Sequence, residues 1–185
     1  MTFSKNKNVN ILICLIIFSF CLTNCLNHSQ TDKNKLLEGM YKMYSIQSQD
    51  STGAWKESGV ANGGESYILY DGLGHMAVQI TPKGYKDFEW LEEEVALNPK
   101  MFQDKVDSMS VPELKQAVAN FASYYAYVAN YRIDKATNTI IHERLIGTIP
   151  SIWGTEVKRQ FSFSGDTLIL INPLANRRLM WLRQE

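Results

Sequence analysis

Beyond residue 25 the chain has no cysteine; its three are Cys14, Cys21 and Cys25. A disulfide framework and a thiolate zinc cluster are therefore excluded for most of its length. Only three histidines are present and no two stand at metal-ligand spacing, so neither a metal centre nor a cofactor is expected. Charge of either sign is not in surplus: 19 Lys and Arg balance 19 Asp and Glu, which removes the basic excess of a nucleic-acid binder. Solenoid-scale repeats, low-complexity runs, a glycine-rich phosphate loop and an activated-nucleophile motif are also missing.

The longest apolar run, Ile11 to Leu22, is interrupted only by Ser19 and is too short to span a bilayer comfortably. Lys5 and Lys7 precede it, the order of a secretory signal. Leu22-Thr23-Asn24-Cys25 follows and resembles the cleavage box of bacterial lipoproteins, although Asn24 replaces the usual small residue. The resemblance implies a signal peptide over residues 1–24, removed to leave Cys25 as a lipidated first residue. Cleavage would leave 17 basic and 19 acidic groups. Residues 25–35 are polar and aperiodic, as in a short tether between lipid and domain.

The rest reads as short β-strands separated by turns. Asp71-Gly72-Leu73-Gly74 divides "SYILYDGLGHMAVQI" into a hairpin. Alternation places Met76 and Val78 on one face, with His75, Ala77 and Gln79 on the other. It likewise groups Tyr125, Tyr127, Ala129, Tyr131 and Ile133, and aligns Val157, Arg159, Phe161 and Phe163. Counting predicts about eight strands, enough to close a small barrel. Residues of about 86–124 interrupt this pattern with helical character. Ser110 and Glu113 form a capping box, and Leu114, Ala117, Val118 and Phe121 share a face expected to pack across an open barrel end.

Five segments in order, "LLEGMYKMYS", "YDGLGHMAVQI", "ASYYAYVANYRID", "IIHERLIGTIPSIWGTEVKRQFSFSGDTLIL" and "LMWLR", resemble the bacterial lipocalin-like domain family over roughly residues 36–185. The resemblance implies an eight-stranded, antiparallel, up-and-down barrel. Two features depart from it: Tyr41 stands where a tryptophan is common, and residues 86–109 are longer and more acidic than the usual connector. The resemblance also implies that Arg183, on the last strand, stacks over Tyr41 of the first beside Trp181 to close the barrel floor.

Met76, Val78, Tyr127, Tyr131, His142, Arg159 and Phe161 are the candidate cavity residues, because each falls on the inward parity of its strand. For His142 this rests on a face shared with Ile140 and Ile146. Glu143 points the other way, so the two cannot act together on one substrate. Arg159, between Val157 and Phe161, needs either an internal partner or an acid group on a ligand. No catalytic residue is assigned. The expected function is binding of a small, largely apolar or acid-bearing molecule by a barrel anchored through Cys25 in the bacterial cell envelope, on its periplasmic or surface side. An isomerase or cyclase in the barrel and a filled structural barrel docking an envelope protein are the alternatives.

If Cys25 carries the anchor, Cys25→Ser will abolish incorporation of labelled palmitate and release the protein from the membrane fraction. Unchanged labelling and fractionation would rule the anchor out.

Overall fold

The computed structural model of the chain describes residues 35–59, 64–87 and 91–185. The expected signal peptide, Cys25 and the tether up to residue 34 lie outside the described residues. Among the described residues nine strands run in chain order: β1 (Gly39–Gln49), β2 (Trp55–Glu57), β3 (Ser66–Tyr70), β4 (His75–Ile80), β5 (Tyr125–Asp134), β6 (Thr139–Gly147), β7 (Glu156–Ser164), β8 (Thr167–Asn172) and β9 (Arg177–Arg183). From β3 onward each strand is antiparallel to the next, and β9 returns to β1. Eight strands thus form a closed meander barrel. The ninth, β2, is an addition the sequence pattern missed: it pairs only with Gln47, Ser48 and Gln49 of β1. At three residues, β2 is too short to show a period.

Side chains alternate in and out of this barrel, apart from two bulges. Register between β1 and β9 shifts between Met43 and Ser45, so Tyr44 is an extra residue and Ile46 turns inward after Tyr41 and Met43. Register between β5 and β6 shifts where Val128 pairs with Ile146 but Ala129 pairs with Arg144. Leu145 is the extra residue there. It sends Ile146 outward, 51% exposed, and corrects the expectation that Ile146 shares the inward face of Ile140 and His142. Bulges change strand parity and leave no mark in a period-two pattern.

Among the described residues the helical insertion has three α-helices, α1 (Glu93–Leu97), α2 (Pro99–Ser108) and α3 (Val111–Ser123). At the start of α3, Ser110 N donates to Glu113 Oε2 at 2.7 Å and Glu113 N donates to Ser110 Oγ at 3.5 Å, so the capping box forms. The expected burial of its apolar face does not follow. Ala117 is buried, but Leu114, Val118 and Phe121 stay 38%, 60% and 41% exposed. That face is thus largely exposed, and Ser123 at the end of α3 lines the opening.

The opposite end is shut. The Arg183 guanidinium lies 4.7 Å from the centroid of the Tyr41 ring. It donates to Tyr41 Oη at 2.5 Å and to Glu38 O at 2.6 Å. Gly39 makes room for it: a Cβ there would fall 2.5 Å from Arg183 Nη1, at a backbone φ of +139° that favours glycine. Beneath this lid Trp181 and Leu168 are fully buried. Loss of the cation removes the stacking contact and two hydrogen bonds. Arg183→Ala should therefore destabilise the fold by about 1–3 kcal/mol, read as a lower urea midpoint with an unchanged m-value. An unchanged midpoint would show that the guanidinium adds nothing to the floor.

Candidate functional site

His142 sits at the barrel centre, 1% exposed. Its Nε2 is 3.0 Å from the Tyr70 hydroxyl and its Nδ1 2.9 Å from the Tyr127 hydroxyl. A neutral imidazole has one N–H and one lone pair, so one tyrosine donates to the ring and the other accepts from it. Tyr131 packs edge-on against Tyr70, with centroids 4.9 Å apart. Burial, reinforced by the positive charges of Arg159 and Arg144, pushes the His142 pKa down from 6.5 to about 3. Burial likewise raises the pKa of Tyr70 and Tyr127 and keeps both phenols protonated. The trio is neutral, both ring nitrogens are engaged, and neither is free to take a proton from a ligand.

Six of the seven predicted cavity residues meet in this region. Met76, Val78, Tyr127, Tyr131, His142 and Phe161 are each at most 9% exposed; all but the polar His142 belong to the apolar cluster with Tyr41, Met43, Ile68 and Trp181. They fill the middle of the barrel. Arg159, the seventh, stands nearer the open end. That end carries a cavity of about 320 Å³. Its apolar wall comes from Ile46, Ile80, Ala175 and Leu179, and its polar groups from Ser123, Tyr125, Arg159, Asn172 and Arg177. The volume is at the low end of the range for small-molecule sites.

The meander puts these residues together. Consecutive turns alternate between barrel ends, so the β4–β5, β6–β7 and β8–β9 connections all fall at the mouth. Ile80 ends β4, Tyr125 begins β5, Asn172 ends β8 and Arg177 begins β9. Apart from Arg159, these residues were missed as site candidates. Their common signal, a position flanking alternate turns, is present in the strand order rather than in any motif. Arg159 Nη1 donates to Lys158 O at 3.1 Å, and among the described residues no carboxylate pairs with it. Nearby, Arg144 donates to the Tyr125 hydroxyl at 3.4 Å and to Thr155 Oγ1 at 2.5 Å. Trp153 lies on the rim, its indole N–H donating to Gly147 O at 2.8 Å.

A second concavity, of about 510 Å³, lies on the outer wall. Met40, Leu69, Ala77, Val128 and Ile146 are successive cross-strand neighbours from β1 to β6 and form an apolar row there. Among the described residues no charged group lines it. Among the described residues no group of three or more His, Cys, Asp or Glu side chains is placed to hold a metal ion.

A closed eight-stranded meander, shut at one floor and open at a partly apolar mouth, defines a small lipocalin-type barrel, an architecture that typically holds small hydrophobic ligands. The family model for a lipocalin-like domain matches residues 38–181, and the chain belongs to that family. Neither the curated proteins nor the solved structures contain a significant match to it.

The buried imidazole couples the fold to pH. Between pH 6.5 and about 3 the unfolded chain binds a proton at His142 that the folded barrel does not. Stability present above pH 6.5 is therefore lost as pH falls through this window, with a limiting slope of about 1.4 kcal/mol per pH unit. His142→Gln retains hydrogen-bonding capacity without that titration. Its urea midpoint should lie below wild type at pH 7 and fall less steeply from pH 7 to pH 4. Parallel profiles for the two proteins would place the pH dependence elsewhere.

Proposed function

We propose that this barrel, held at a bacterial envelope membrane through Cys25, binds a small, largely apolar molecule at its mouth. One observation carries the reading: the floor and middle of the barrel are packed, while the end bounded by Ile46, Ile80 and Leu179 keeps about 320 Å³. Covering about 300 Å² of apolar ligand surface would contribute roughly 7 kcal/mol before the cost of immobilising the ligand, enough for micromolar affinity at best. A second reading, a filled barrel docking another envelope component, draws on the apolar row from Met40 to Ile146.

A neutral fluorescent probe small enough for this cavity, such as naphthalene, separates the two. Ala175 stands exposed on the mouth rim, so Ala175→Trp narrows the opening without disturbing the core. It should weaken probe binding by about tenfold, or about 1.4 kcal/mol, at an unchanged melting temperature. Val128→Lys, on the outer wall, should leave binding as it was. The reverse pattern, or no binding to wild type, would move the function away from the mouth.

A further inference from the structure

We propose that the mouth is a carboxylate site, in which Arg159 and Arg177 together clamp the acid group of a short amphiphile whose apolar body lies against Ile46, Ile80 and Leu179. The inference rests on the mouth being a ligand site and names the class of ligand it takes.

The polar groups at the mouth are almost all donors. Arg159 uses one nitrogen on the carbonyl of Lys158, which leaves most of its fork unspent. Arg177, exposed at the rim, makes no side-chain hydrogen bond or ion pair among the described residues. Its Nη2 occupies space that a Cβ on Gly59 would approach to 2.9 Å, and Gly59 has a φ of +89° that favours glycine. Asn172 Oδ1 accepts from Leu174 N at 3.2 Å, which turns its amide N–H₂ into the remaining donor. The Tyr125 hydroxyl accepts from Arg144 and keeps its own proton to give. Among the described residues no carboxylate lines the cavity. Two cations and two neutral donors beside an apolar wall suit an anionic acceptor and repel an amine.

A carboxylate fits better than other anions. It is planar, and a guanidinium meets it with two parallel N–H···O bonds. Arg159 is partly buried and lies against tyrosines, and burial weakens its hold on its proton, so an anion beside it restores a desolvated cation to favourable surroundings. The cavity limits the body. At about 30 Å³ for each small group, 320 Å³ holds on the order of ten heavy atoms. A medium-chain monocarboxylic acid meets both conditions.

The test is calorimetric titration of the full chain with octanoate and with octanamide, which share length and shape and differ in charge. Wild type should bind octanoate at least about tenfold more tightly. Arg159→Met should remove that preference, weakening octanoate binding far more than octanamide binding. Arg177→Met, at the exposed rim, should reduce the preference in the same direction and serves where the Arg159 variant does not fold. Equal binding of acid and amide would overturn the carboxylate site while leaving an apolar ligand site standing. A preference for octanoate untouched by both substitutions would also overturn it, because the charge would then be read elsewhere. Failure of both ligands to bind at millimolar concentration would overturn the mouth as a ligand site altogether.

Discussion

Everything in this barrel depends on the pairing of its first strand with its last. β1 meets β9 through seven register pairs, from Tyr41 with Arg183 to Ser48 with Arg177. Without that seam the sheet would expose two long edges, and its inner face could not surround Tyr41, Met43 and Trp181. The same pairing brings the Arg183 guanidinium over Tyr41 and shuts the floor. It also carries Arg177 to the mouth, where Ser48 of β1 is its cross-strand partner. Floor and mouth are thus opposite ends of one ladder.

The interior is divided along the barrel axis, and the division decides what each polar group does. At the centre, His142, Tyr70 and Tyr127 satisfy one another and carry no charge. A closed network of this kind rigidifies a core and leaves nothing for a guest. Nearer the opening, Arg159 and Arg177 lack acidic partners among the described residues, and the space beside them remains unfilled. The apolar belt of Ile46, Ile80 and Leu179 stands between the two regimes.

Much of the barrel was legible in the chain, because period-two alternation and glycine turns both report on a half-buried strand. Tyr127, Ala129, Tyr131 and Ile133 turn inward together for that reason. The pattern failed where geometry breaks the period, at Tyr44 and Leu145, and where β2 is too short to have one. It also could not separate packed from unpacked interior. Parity shows that Met76 and Arg159 both face inward, but not that one is buried among neighbours while the other borders a void. Depth along the axis depends on strand register and chain reversals, and those become visible only when the strands are paired. The outward apolar positions on α3 show the same limit: periodicity identified the face but not what covers it.

The seam has a consequence for how the chain reaches this state. Every neighbouring pair from β3 to β9 joins strands consecutive in sequence, whereas β1 and β9 unite residues from opposite ends of the domain. Pairing so distant in sequence forms slowly, since loop-closure entropy must be overcome before the contact contributes. During synthesis β1 emerges first and waits for β9 as the last strand to be made. In that interval the β9-facing edge of β1 is open, while its other edge is covered by β3 and, where β3 has ended, by β2. The small extra strand therefore narrows the surface on which a nascent barrel can pair with the wrong partner.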